Sequence, residues 1–127
     1  MPVEQDDSAW PVVMLRMRGV LLDEEEDEFI EASVGFAGRG EQYVAVIDLL
    51  EAATPSTRFI RGQAAAMGKH ADVLSRRCVG MAFVIESAML RGALRAIFHL
   101  QGPPSPHIVV RTVEAAMRWA ESRLVRL

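Results

Sequence analysis

The chain has 127 residues, half of them apolar, and a formal net charge of −3. This length is typical of one domain, and the apolar content is ample for one core. Binding along nucleic acid needs a basic stripe that displaces counterions, so the charge argues against that class of protein. The apolar runs are too short to span a membrane, and the acidic first ten residues lack the features of a signal peptide. We therefore expect a cytoplasmic protein without nucleic-acid or membrane partners.

Residues 1–9 are polar and are expected to form a flexible N-terminus before a single domain over residues 10–127. Alternating apolar side chains predict a strand over 10–18, and its two arginines favour a sheet edge or a partly solvated face. The acidic run 23–28 predicts a helix start, because carboxylates there complement the positive end of the helix dipole. That helix is expected to end near residue 37, and a solvated helix start is favoured over an acidic partner site.

Strands and helices continue to alternate along the rest of the chain. This order implies parallel pairing through right-handed crossovers, and the apolar character of the two middle strands favours central positions. We predict an α/β fold, namely a four-unit right-handed βα superhelix with a mainly parallel sheet of about four strands flanked by helices. The later strands are expected at 43–49, 79–85 and 107–111, and the later helices at 56–75, at 87–101 with Ser87 as cap, and from Thr112 onward.

A strand that ends in aspartate, Val44-Ala-Val-Ile-Asp48, precedes a Thr-Pro-containing loop and a helix. This arrangement resembles the STAS domain of anti-sigma-factor antagonists, which has the SpoIIAA-like fold. The resemblance covers roughly residues 10–125 and implies a non-catalytic regulatory or scaffolding module that acts through protein–protein contact. Four further segments are similar to small bacterial proteins described as SpoIIAA-like or STAS-related: Cys78–Ile85, Ser87–Gly92, Ile97–His107 and Glu114–Trp119.

The start of the helix after Asp48 is the first candidate interface. In the antagonist branch, a serine at this point is phosphorylated by a partner kinase, and the modification gates binding. The resemblance places the corresponding position at or near Thr57, with Ser56 before it and Thr54 and Arg58 on either side. This chain has Pro-Ser-Thr-Arg where that branch has Asp-Ser-Ser-Gly. A hydroxyl at a helix start also caps the helix and stabilises it by about 1 kcal/mol, so capping is the open alternative.

Basic side chains define a second candidate surface. Arg91, Arg95 and His99 recur every four residues and therefore share one face of the predicted helix. Together with His107 they form a candidate patch for an anion or an acidic partner. The alternative is an ordinary solvated face, since basic groups near a helix C-terminus suit the helix dipole. The two histidines lack a third ligand at a metal-binding spacing, so neither a metal nor a cofactor is expected.

Cys78 is the single cysteine, so an internal disulfide is excluded, which fits a reducing compartment. The two arginines before it could lower the pKa of its thiol, although the alternative of a buried structural thiol is favoured. The sequence shows no nucleotide-binding loop, no nucleophile elbow and no convergent acid and base. We therefore do not expect an enzyme.

Two further expectations concern assembly and ligands. The resemblance implies helices mainly on one side of the sheet, which would leave apolar strand residues for a partner chain to cover and predicts a homo-oligomer. The alternative function is that of a small-ligand or lipid-binding protein with a pocket between the helices and the proline-rich loop 102–106. The strand residues expected to face a partner chain are Val44, Val46, Met81 and Phe83, or their alternates.

Overall fold

The computed structural model of the chain describes residues 2–125, which fold around a five-stranded sheet whose strands lie in chain order. The first pair of strands is antiparallel, and each later pair is parallel. This arrangement confirms the predicted α/β fold with a mainly parallel sheet, with five strands in place of about four. The strands are β1 (Val3–Asp6), β2 (Val12–Met17), β3 (Tyr43–Asp48), β4 (Cys78–Val84) and β5 (His107–Val110).

Helices cover both faces of the sheet: α1 (Asp23–Gly35), α2 (Thr57–Lys69), α3 (Ala71–Arg77), α4 (Ala88–Leu100) and α5 (Val113–Val125). The larger core lies where α1, α2 and α4 pack on one face, and a smaller core lies where α5 packs on the other. The hydroxyls of Ser87 and Thr112 accept backbone hydrogen bonds at 3.3 and 3.1 Å, which confirms both predicted caps.

The strand β1 was not predicted, because residues 1–9 were expected to form a flexible N-terminus. Val3 is buried, and Glu4 forms ion pairs with Arg16 (3.3 Å) and with Arg18 across the antiparallel pair. One apolar residue among polar ones gives no periodic signal in the sequence. β1 therefore forms the sheet edge that was expected for residues 10–18. β2 lies inside the sheet and has one partly solvated face, which was the other expectation for these residues.

The helix predicted over 56–75 is wrong in one respect, because it breaks at His70 into α2 and α3. His70 has φ −107° and ψ 13°, outside helical values, while its N–H still bonds to Ala66. The neighbouring Gly68 weakens the helix at this point. After the break, α3 places Leu74 in the larger core at 4% exposure.

The expectation that strand residues would be left bare is also wrong. Val44 and Val46 are fully buried beneath α5, where Ala116 and Ala120 are equally buried. Met81 and Phe83 lie on the opposite face, in or against the larger core, as do Val13, Leu15 and Met17 on β2. These residues therefore give no reason for a partner chain.

Candidate functional site

Ser56 caps the helix at the first candidate interface. Its Oγ accepts a hydrogen bond from the Phe59 N–H at 3.0 Å, which is the bond expected of an N-cap. The same hydroxyl donates to Glu26 Oε2 at 2.7 Å. Ser56 thus uses its oxygen as acceptor and its proton as donor within the fold, and the capping alternative describes this residue.

Glu26 is a buried carboxylate in the first turn of α1, with 4% of its surface exposed. Arg58 donates to its Oε1 at 3.2 Å and to both carboxylate oxygens of Asp27, the closer at 2.9 Å. The hydrogen bond with Asp27, ahead of the nearby charges, raises the pKa of Arg58. Since a buried charge must be paired and hydrogen-bonded, Ser56 and Arg58 act first as structural partners of Glu26. They join the start of α2 to the start of α1.

The two threonines of this interface differ from their neighbours. Thr57 is exposed at the first position of α2, and its side chain makes no hydrogen bond within residues 2–125. Thr54 is exposed in the loop after β3, where its Oγ1 lies 3.9 Å from Met89 Sδ at the start of α4. The hydroxyls available to a partner are therefore those of Thr54 and Thr57, whereas Ser56 and Arg58 are engaged.

Exposed apolar side chains follow the ends of the strands at the edge of the sheet where Thr54 lies. Val20 and Leu22 follow β2 with 83% and 67% of their surfaces exposed, and Met89 begins α4 at 66%. Leu50 follows β3 at 41%, and Val20 lines a small pocket together with Thr54. We call Val20, Leu22, Leu50, Thr54 and Met89 the strand-end surface, because they follow the carboxyl ends of β2, β3 and β4. Its apolar members were not predicted. Val20, Leu22 and Leu50 lie in predicted loops, where large apolar residues are a signal, whereas Met89 lies within a predicted helix.

The residues of the second candidate surface are largely exposed. Arg95 and His99 are exposed on α4, and Arg91 is half-buried with its NH1 donating to the Glu86 carbonyl at 3.2 Å. His107 instead packs its ring 4.9 Å from that of Phe98. No hydrogen bond or ion pair joins the four predicted residues to one another in the part of the chain that the structure describes.

A largely apolar cavity of about 80 Å³ lies between the sheet and the layer formed by α1, α2 and α4. Pro104, from the proline-rich loop, lines it together with Leu74 and Phe98. The pocket of the alternative function was expected between the helices and this loop. A cavity therefore lies at the place where that alternative requires one.

Cys78 also lines this cavity and is buried at 3% exposure. Burial raises the pKa of its thiol, so the preceding arginines do not lower it. The cause is that desolvation disfavours the thiolate, whereas Arg76 is exposed and pairs with Asp72 at 3.4 Å. The buried-thiol alternative describes Cys78.

The described residues offer neither a metal-ion cluster nor a membrane-spanning helix. Within residues 2–125, no group of three or more His, Cys, Asp or Glu side chains is placed to hold a metal ion. None of the helices described combines the length and the apolar character needed to cross a membrane.

Comparison with known proteins gives a fold but no sequence relative. No protein-family model and no curated protein matches the chain. An uncharacterised DUF3478-family protein with a SpoIIAA-like fold, from Shewanella loihica PV-4, superimposes with a TM-score of 0.63 at 17% identity, over 93% of this chain and 91% of that one. An anti-sigma factor antagonist from Mycobacterium paratuberculosis superimposes with a TM-score of 0.56 at 14% identity, over 94% and 92%. The element order, the parallel sheet and these two likenesses together identify the fold of this chain as SpoIIAA-like.

Proposed function

We propose that the protein is a non-catalytic bacterial regulatory or scaffolding module in the cytoplasm, and that it contacts a protein partner through the strand-end surface. The observation that carries this proposal is the exposure of Val20, Leu22 and Met89 at the strand ends, at the edge of the sheet where Thr54 also lies. Folded chains rarely leave neighbouring large apolar side chains bare unless the patch binds something. An anti-sigma factor antagonist has the same fold, which supports a protein as the binding partner.

The charges around the strand-end surface indicate what such a partner offers. Glu24, Glu51 and Glu86 are exposed on the segments that carry its apolar members. Complementary potentials favour association and suppress wrong pairings. We therefore expect a partner surface with an apolar centre and a basic rim.

Phosphorylation is proposed at Thr57 in preference to Ser56. A phosphate on Ser56 would lie against the buried Glu26 carboxylate and would remove the donor of the 2.7 Å bond. Thr57 points its hydroxyl into solvent at a helix start, where a dianion gains from the dipole and the free N–H groups. A modified Thr57 would add negative charge beside the strand-end surface and would weaken binding to a basic partner rim.

The experiment is an affinity capture with crosslinking in the native organism, using three forms of the chain as bait. They are the native chain, the double variant Val20→Ser/Met89→Ser, and the control Leu100→Ser. Leu100 is 57% exposed at the far end of α4, so its variant removes a comparable apolar side chain elsewhere. We expect one stoichiometric partner that the native chain and the control retain and the double variant loses at least tenfold. Retention by the double variant, or no stoichiometric partner, would contradict the proposal.

A second copy of the chain is the other protein that the strand-end surface could contact. Self-association remains a prediction, although the strand residues that first suggested it are covered within the fold. Light scattering at micromolar concentration measures it directly, and a mass equal to the chain's 14.0 kDa would contradict it. The Arg91, Arg95 and His99 face is the second proposed interface, tested with Arg95→Ala in the same capture.

A further inference from the structure

The cavity beneath α2 and α4 is too large to be an ordinary packing gap. Its volume of about 80 Å³ is several times the roughly 10–15 Å³ that one water needs, and about half that of an engineered cavity that binds benzene. Half-buried residues, among them Pro55, Leu94 and Phe98, border it. The cavity is partly open to solvent, so a ligand longer than its interior can continue towards the surface.

Two polar side chains interrupt the apolar lining of this cavity. Gln63 is 7% exposed, and its Nε2 donates to Ser33 Oγ at 2.9 Å. Ser33 Oγ in turn donates to the Ile30 carbonyl at 2.6 Å. Gln63 Oε1 is buried and accepts no hydrogen bond within residues 2–125. An unused acceptor thus belongs to a side chain that lines an otherwise apolar space.

These features restrict the chemistry of a ligand. A buried acceptor without a donor is uncommon, because it has lost its hydrogen bonds to water and gained none. None of the described residues that line the cavity has a charged side chain, so a carboxylate or phosphate would be buried there without a counter-charge. A neutral donor on an apolar body matches both conditions.

We propose that the cavity binds a small, uncharged, mainly aliphatic molecule that carries a hydroxyl group. The hydroxyl donates to Gln63 Oε1, and the hydrocarbon part lies against apolar lining residues such as Phe59, Met67 and Leu90. This site lies inside the larger core, apart from the strand-end surface. It goes beyond the protein-contact function and does not depend on it.

The test compares 1-hexanol with 1-methoxypentane, two probes of equal size of which only the alcohol donates a hydrogen bond. Each is titrated into the native chain labelled with ¹³C at the methionine methyl groups. Met17, Met67 and Met81 line the cavity, whereas Met14 and Met117 pack on the other face of the sheet and serve as internal controls. We expect the three cavity methyls to shift selectively and the alcohol to bind roughly five-fold more tightly.

Gln63→Leu removes the acceptor at nearly constant volume, and we expect it to bind both probes with equal affinity. Gln101→Leu is the matched control, since Gln101 lies outside the lining, and it should keep the preference for the alcohol. The proposal is overturned if the native chain shows no selective shift of the cavity methyls, or binds both probes equally. Because this comparison needs no variant, the result stands even if Gln63→Leu fails to fold. A preference for the alcohol that survives in a folded Gln63→Leu variant would overturn it as well.

Discussion

The Ser56 hydroxyl donates to Glu26 Oε2 at 2.7 Å while it accepts the Phe59 N–H at 3.0 Å, so one side chain both caps α2 and satisfies a buried carboxylate of α1. Glu26 is 4% exposed and depends on Ser56 and Arg58 for its polar partners. Ser56, directly before the position at which the family resemblance suggests a switch, is therefore part of the scaffold. The neighbouring Thr57 is free of this role.

Removal of this hydroxyl should destabilise the chain more than removal of an ordinary cap. Ser56→Ala loses the cap and one partner of a buried charge, so we expect a cost of about 2 kcal/mol in the free energy of unfolding. Ser87→Ala is the matched control, because Ser87 caps α4 at 3.3 Å without a carboxylate partner, and it should cost about 1 kcal/mol. Urea denaturation measures both, and equal costs would show that the bond to Glu26 contributes nothing.

A negative charge should be tolerated at Thr57 and not at Ser56. Ser56→Glu brings a second carboxylate towards Glu26 and should cost more than about 2 kcal/mol, whereas Thr57→Glu should stay within about 0.5 kcal/mol, because it is exposed at a helix N-terminus. Thermal unfolding compares the two variants. Addition of Glu26→Gln to Ser56→Glu should restore part of the loss, and a cost unaffected by Glu26→Gln would exclude charge repulsion as the cause.

The packing of α5 on the sheet depends on the absence of a side chain at Gly80. A Cβ built there would lie 2.7 and 2.9 Å from the ring atoms Cη2 and Cζ3 of Trp119. Gly80→Ala should therefore cost about 1–3 kcal/mol through overpacking. Gly92→Ala is the control, since a Cβ at Gly92 meets nothing within 4 Å, and it should stabilise α4 by up to about 1 kcal/mol. Calorimetry measures the stability of the two variants. A Gly80→Ala variant as stable as the native chain would contradict this packing.

Stability should fall at high pH because two buried groups resist ionisation. Burial raises the pKa of Cys78 above its ordinary 9.0, and burial beside Cys78 raises the pKa of Tyr43 above its ordinary 10.0. The unfolded chain releases these protons at the ordinary values while the folded chain keeps them. The contribution is thus fully present below about pH 9 and declines as the pH rises further.

Urea denaturation between pH 7 and pH 11 measures this decline, and Tyr43→Phe and Cys78→Ala should each flatten it. A native profile that stays level over the same range would contradict the assigned burial of both groups.

Much of the fold was predictable, because the elements of the parallel units carry strong local signals. β3 has six buried residues in succession, and Ser87 stands at the start of an amphipathic helix, so pattern and cap agree. β1 has one buried residue and is stabilised by backbone pairing and by the ion pairs of Glu4, neither of which has a periodic signature. The break at His70 depends on where α3 must pack, which is a tertiary constraint.

The position of the candidate site along the chain was predictable, but the roles and identities of several of its residues were not. The loop and helix start from Thr54 to Arg58 do lie at the strand ends. Ser56 differs from Thr57 because its hydroxyl bonds to Glu26, thirty positions earlier. In the sequence, Glu26 is not distinguished from the other carboxylates of the acidic run, which were expected to be solvated. Likewise, Val20 and Met89 lie at the same edge of the sheet only because the strand order places the ends of β2, β3 and β4 side by side.

Hydrogen exchange of the chain with and without its captured partner tests the central claim most directly. The account predicts that binding slows amide exchange in three segments, 19–22, 50–58 and 86–89, which carry the strand-end surface. Exchange along the outer face of α4 and along β5 should stay unchanged. Protection confined to α4 and β5, with the three strand-end segments unaffected, would contradict the account.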